Sequence, residues 1–262
     1  PHIQSQSLLC YLYTIPQYLL SNSKIHYTKI SGFVNPFPQK SALFVFFTLC
    51  YTEFKKKAPQ MGKNSLRECL DRACREEADL NALRFGGEAA ENARFPGVGL
   101  HACRLENCRL TACEAAGAYF EDTAFADCDL SNASFPDCCF RRVNFLRCRL
   151  TGADFTGAVF DGAVFSSCSC RLAVFSSSKL RNSSFEGCAL TECAFQECRL
   201  HGAGFNGCDM KKCDFLHTPL RGEDLRGDEI DGLSVSGPEL RGAVVTPAQA
   251  CELARYLGLV IR

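Results

Sequence analysis

Residues 153–165 read Ala153-Asp154-Phe155-Thr156-Gly157-Ala158-Val159-Phe160-Asp161-Gly162-Ala163-Val164-Phe165, with phenylalanine at every fifth position. The register extends both ways. From Leu80 to Ile230 it covers 31 positions, 26 of them Phe or Leu, and it holds all 15 Phe that follow residue 60. Two residues before each large residue runs a column of small ones, such as Ala118, Ala153 and Cys168, which contains 12 of the 19 Cys. Two residues after it, Gly or Asn recurs, as in Gly152, Gly157, Asn182 and Gly207. Five matches neither the 3.6 period of a helix nor the 2.0 period of a strand. Each unit must therefore combine a short extended side with a turn. The large residue and the small one before it then point inward, and Gly or Asn supplies a corner that needs permissive backbone angles.

Segments such as Ala153-Asp154-Phe155-Thr156-Gly157 and Cys188-Ala189-Leu190-Thr191-Glu192 resemble pentapeptide-repeat units. The resemblance implies an all-β solenoid: a right-handed quadrilateral β-helix with four units per coil, spanning about residues 78–245. Residue n then stacks on n+20, giving between seven and eight coils and a rod on the order of 36 Å long at about 4.8 Å per coil. The expected core ladder includes Phe120, Phe125, Phe135, Phe140, Phe145, Phe155, Phe160, Phe165, Phe175, Phe185, Phe195, Phe205 and Phe215. Cys108, Cys128, Cys148, Cys168, Cys188 and Cys208 are spaced by 20 and form one inward column of small fillers. A straight column offers no tetrahedral zinc site, and a reducing, cytoplasmic setting is expected.

Both ends need covers, because open β-helix ends invite edge pairing. Within residues 61–77, Ser65-Leu66-Arg67-Glu68 reads as a capping box that opens a helix to about Glu77. Within residues 246–262, Thr246-Pro247-Ala248-Gln249 gives an N-cap with Pro at N1, and the helix should reach about Leu257 and stop at Gly258. Arg241-Gly242-Ala243-Val244-Val245, Gln249-Ala250 and Leu257-Gly258-Leu259 resemble the ending of Qnr-type quinolone-resistance pentapeptide proteins. That resemblance implies a homodimer through the C-terminal helix, with Ala250, Leu253, Ala254, Leu257, Leu259 and Val260 at the interface. It further implies a rod that imitates duplex DNA, binds DNA gyrase or topoisomerase IV and protects it from quinolone-like inhibitors. Qnr proteins of Gram-negative bacteria carry loops that interrupt the coil. Here the phase is unbroken, so the weak units Glu88–Asn92 and Cys113–Gly117 are the candidate loop sites.

The formal charges cancel, 29 basic against 29 acidic, which argues against a polybasic chain that contacts nucleic acid directly. Grouping the units by face puts 13 acids against 6 bases on two adjacent faces. Their acidic residues include Glu114, Asp129, Asp137, Asp154, Glu192, Glu197, Asp209 and Asp214, the candidate partner-binding face. Duplex DNA carries one charge per roughly 1.7 Å, so the imitation is faint, and a general protein-interaction scaffold is the alternative reading. No nucleophile, histidine and acid are arranged for catalysis, and no phosphate-binding glycine motif occurs. A non-enzymatic protein without cofactor or metal is expected. No apolar run approaches the length of a membrane span.

Composition shifts near Met61. Residues 1–60 hold six Lys, no Arg and one acid, and nothing in them repeats. They read as a non-repeat extension: translated upstream sequence with Met61 as the natural start, a targeting or anchoring extension, or a disordered or partner-binding tail.

Overall fold

The computed structural model describes residues 60, 61 and 64–259, so the extension before Gln60 lies outside it. Two parallel sheets form two sides of a solenoid. The eight-stranded one comprises β1 (Gln60–Met61), β3 (Leu83–Gly86), β5 (Arg104–Glu106), β7 (Ala124–Ala126), β9 (Asn144–Leu146), β11 (Val164–Ser166), β13 (Ser184–Glu186) and β15 (Gly204–Asn206). The seven-stranded one comprises β2 (Leu80–Asn81), β4 (Gly99–His101), β6 (Tyr119–Glu121), β8 (Cys139–Arg141), β10 (Val159–Asp161), β12 (Lys179–Arg181) and β14 (Arg199–His201). Within each, from β2 onward, neighbouring strands pair residue n with n+20, as Phe160 with Phe140 and Leu180. The third and fourth faces are built from single bridges in the same register, Ala89 through Asp129 to Glu229 and Arg94 through Asp154 to Ser234. The architecture is a four-sided parallel β-solenoid.

The side chains at multiples of five fill its axis. Every Phe of the ladder is buried. Rings one coil apart stack nearly parallel, as Phe175 on Phe195 at 4.8 Å and 2°, while rings on opposite faces meet edge to face across the axis, as Phe165 and Phe175 at 5.9 Å and 89°. Both geometries suit the ring quadrupole. The corners explain how five residues suffice. Every fifth residue from Glu77 to Gly242, Gly227 excepted, has positive φ, and 20 of these are not glycine, with φ between 47° and 61°. The solenoid imposes this left-handed conformation on Arg142, Leu172 and Lys212 as well as on Gly and Asn.

Helix α1 (Leu66–Glu76) starts at the Ser65–Glu68 capping box and ends on Glu77 with φ 49°, in phase with the corners that follow. It buries Leu66, Cys69, Leu70 and Ala73 over the first coil. Before it, β1 adds a strand to β3, so Met61 extends a sheet rather than opening the cap. At the other end, α2 (Pro247–Leu253) begins with the Thr246–Gln249 box, and Gln249 Nε2 donates to the carbonyls of Leu225 at 2.7 Å and Asp228 at 2.9 Å. The expected helix to Leu257 tightens into a 3-10 turn over Ala254–Leu257, closed by Gly258 at φ 70°. The candidate loop sites carry no loops. Ala89 and Glu114 lie on bridges, and Ala90 and Ala115 are buried, because alanine keeps its place in the column although it fills less of the axis.

Candidate protein-interaction faces

The outward positions flank each axial residue, so a sequence interval of 20 becomes a ladder of neighbours about 4.8 Å apart. The structure draws ten of the described Arg and Lys into ion pairs between coils. Arg142 clamps Asp122 with two nitrogens, at 2.6 and 2.7 Å, and reaches Glu121 at 2.7 Å. Arg147 holds Asp127 in the same forked way, at 2.7 and 2.6 Å.

The eight candidate acids divide. Glu114 pairs with Arg94 at 2.9 Å, Asp129 with Arg149 at 3.0 Å, and Glu192 with Lys212 at 3.6 Å and Arg171 at 3.9 Å. Asp154 folds back on Thr156, while Asp214 accepts from Gln196 and from Leu216 N, and Asp209 from Thr191 and from Lys211 N. Asp137 and Glu197 are exposed at corners of the fourth face, in one column. From residue 113 to 217 the units of that face carry five carboxylates (Glu114, Asp137, Asp154, Glu197 and Asp214) and no Lys or Arg.

Among the described residues the cysteines are free, and all but Cys74, Cys139 and Cys251 are buried. Each thiol of the column from Cys128 to Cys208 donates to a carbonyl 23 residues earlier, as Cys148 Sγ to Phe125 O at 3.4 Å. Thr123 Oγ1 does the same to Leu100 O at 2.9 Å in a neighbouring column. The small column thus links coils as well as filling space. Ala occupies other small columns, but between residues 108 and 208 this one is Cys throughout. At its two ends stand acids. Glu88 accepts from Leu66 N and docks α1, and Asp228 accepts from Cys208 N at 2.7 Å. Burial pushes the Cys113 and Cys138 thiols up to about 12, which keeps them protonated and unreactive. Among the described residues no group of His, Cys, Asp and Glu is placed to hold a metal.

The C-terminal end is apolar. A cavity of about 310 Å³ is lined by Leu240, Ala243, Val245, Ala250, Leu253, Ala254 and Leu259. Of the candidate dimer residues, Leu253 is 7% exposed and belongs to the core cluster of its own solenoid, Ala250 and Leu259 are exposed, and Ala254 is half-buried. The Leu257 side chain and all of Val260 lie outside the described residues. Val244 at 41% and Leu259 at 58% leave apolar surface uncovered.

The chain matches the pentapeptide repeat region family over residues 98–175, and the family of pentapeptide repeats in eight copies over residues 168–207 and 188–227. It is a pentapeptide-repeat protein. No curated protein sequence matches it. Among solved structures, a trypsin-treated variant of QnrB1, a plasmid-mediated fluoroquinolone resistance protein, is 21% identical to this pentapeptide-repeat chain, covering 71% of it and 100% of its own length at a TM-score of 0.37. Full-length QnrB1 is also 21% identical, with 70% and 100% covered at a TM-score of 0.31. HetL of Nostoc sp. strain PCC 7120, a pentapeptide repeat protein involved in heterocyst differentiation regulation, is 17% identical, with 63% and 86% covered at a TM-score of 0.24. Among the described residues of this pentapeptide-repeat protein, no helix is long and apolar enough to cross a membrane.

Proposed function

We propose that this pentapeptide-repeat solenoid is a non-enzymatic cytoplasmic protein that binds a type II topoisomerase, gyrase or topoisomerase IV, and lowers the effect of quinolone-like inhibitors on it. The observation that carries this reading is the fourth face, where five carboxylates and no Lys or Arg line one side of the rod from residue 113 to 217. A one-sign ladder steers association with a basic DNA-binding surface and does so less as salt rises. The unbroken repeat supports the reading, since a partner meets one continuous side. The uncovered Val244 and Leu259 support a homodimer joined at the C-terminal end.

The test is gyrase supercoiling in the presence of a quinolone, with the full chain and with a variant carrying Asp154→Asn, Glu197→Gln and Asp214→Asn. The chain should restore supercoiling at micromolar concentration in low salt, and the variant should need at least tenfold more. No restoration by the unaltered chain refutes the reading. A second reading, a scaffold for another partner, is favoured by the ion pairs that neutralise Glu114, Asp129 and Glu192. A pull-down that captures no topoisomerase subunit would support it.

A further inference from the structure

Fourteen Arg and Lys among the described residues stand in ion pairs with carboxylates. Apart from Arg72 and Arg75 of α1, the described cations outside those pairs are Lys179, Arg181, Arg199, Arg221 and Arg241. All five are exposed, and all five lie on the face that carries β12 and β14. Lys179 stands beside Arg199 and Arg181 beside His201 across the β12–β14 pairing. Arg221 and Arg241 continue the second column, since Leu220 N bonds Glu239 O at 2.8 Å and Leu225 N bonds Val244 O at 2.9 Å, the interval of 19 that Met210 N to Glu229 O also shows, although at the corner itself Gly222 N bonds Gly242 O, one residue beyond it. The column Arg181, His201, Arg221, Arg241 spans three coil steps, roughly 14 Å, and Lys179 lies about 7 Å across the strand from Arg181.

Three carboxylates near the ladder, Asp161, Glu197 and Glu239, form no ion pair with it. Asp161 neighbours Arg181 on β10, and Glu197 stands at the corner before Arg199, but neither is in an ion pair with it. The buried Glu239 accepts from Ser236 N, Ser236 Oγ and His217 N. Like charges directly opposite each other on neighbouring strands destabilise a sheet. A ladder of this kind therefore presents a positive potential that nothing in the fold requires.

We propose that it binds the sugar–phosphate backbone of duplex DNA, without reading base sequence. Arginine dominates, and its planar fork suits phosphate. Over roughly 14 Å a duplex offers about eight charges, at one per 1.7 Å. An extended acidic peptide offers one same-side carboxylate per about 7 Å, or roughly two. A bilayer is served less well, since the outward positions of this face from Lys179 to Arg241 hold no Trp, Tyr, Phe, Leu, Ile or Val to enter it. The neutral charge sum conceals the ladder because its cations are gathered on one side of the last coils. This inference stands apart from the topoisomerase reading.

The test is fluorescence anisotropy of a labelled duplex of random sequence with the full chain between 50 and 200 mM salt. If five cations each meet a phosphate, the log–log slope is about −4.5, a loss of roughly 500-fold in affinity over that range. Arg199→Gln with Arg221→Gln should reduce the slope by about 2, with the circular dichroism unchanged. Arg109→Gln with Arg149→Gln, on the opposite face, should leave it as it is. Absence of binding at 50 mM salt, or a slope that Arg199→Gln with Arg221→Gln does not alter, overturns the proposal. So does binding of polyglutamate or phosphatidylserine vesicles as tight as that of the duplex. No topoisomerase is present, so failure here leaves the quinolone-protection reading intact, and failure there leaves this one intact.

Discussion

Replacing Phe155 by alanine removes a ring with no solvent exposure from the middle of the axis. The ring stacks on Phe135 at 5.3 Å and on Phe175 at 5.0 Å, and meets Phe140 and Phe160 edge to face, each at 5.7 Å. A buried Phe→Ala change costs about 3–5 kcal/mol from lost transfer energy and cavity. Stacked partners add about 0.5–1.5 kcal/mol per pair. Phe95 gives the comparison: it is 1% exposed, but the residue stacked above it is Ala115. Phe155→Ala should therefore exceed Phe95→Ala by about 1–3 kcal/mol, the worth of two stacked pairs. In urea, with a slope of about 2 kcal/mol/M, a loss of 4 kcal/mol lowers the midpoint by about 2 M. Far-ultraviolet circular dichroism reads this, and the slope must be compared as well, because a solenoid whose coils touch only neighbours can unfold in parts. Equal shifts for the two variants would show that the ring stacks contribute nothing. A shift under about 0.5 M for Phe155→Ala, or 1 kcal/mol at that slope, would refute the axial core.

Leu172 is 50% exposed at a corner with φ 60°. Leu172→Gly should raise stability by about 0.5–1 kcal/mol, the relieved left-handed strain less the entropy of glycine, read as a higher midpoint in thermal unfolding. Cys148→Ala removes a thiol bonded to Phe125 O; a loss of about 1–2 kcal/mol is expected, and unchanged urea unfolding would reduce the column to passive filler. The backbone and Ser236 donors hold Glu239, against the opposing effect of its burial, down to about 2 from an ordinary 4.5. A depressed carboxylate stabilises above its unfolded value and loses that contribution as pH falls through the folded one. Glu239→Gln should therefore flatten the fall in stability between about pH 4.5 and 2, checked by thermal unfolding across that window. Leu259→Asp should give monomers by sedimentation if the C-terminal end mediates association. It is the better probe because Leu253 is buried on its own solenoid.

The axial column was legible because a period of five leaves one arrangement in which Phe155, Phe160 and Phe165 share an interior. The corner was legible only in part. Gly152 and Asn182 announce a left-handed backbone, but Arg142 and Leu172 adopt it too, since coil closure outweighs their local preference. Ala90 and Ala115 suggested loops because alanine weakens the pattern, and the pairing of neighbouring coils holds both in place. Glu88 and Asp228 break the inward pattern in sequence, and their use appears only where a backbone N–H of α1 or of the coil beneath meets them. The basic ladder was hidden by summation. Its face counts six bases and four acids between residues 78 and 222, but the acids (Asp79, Glu121, Asp122 and Asp161) precede residue 179, and Lys179, Arg181, Arg199 and Arg221 follow.

The rise of one coil per 20 residues is the claim on which the faces, ladders and stacks depend. Pulsed dipolar spectroscopy measures it, with spin labels on genetically encoded keto amino acids so that the native cysteines stay untouched. Ala116, Leu216 and Ser236 occupy one outward column. Labels at Ala116 and Leu216 should lie about 24 Å apart, and labels at Ala116 and Ser236 about 29 Å, five and six steps of roughly 4.8 Å. Distances that fail to grow by one step for each added 20 residues would contradict the stacked coil.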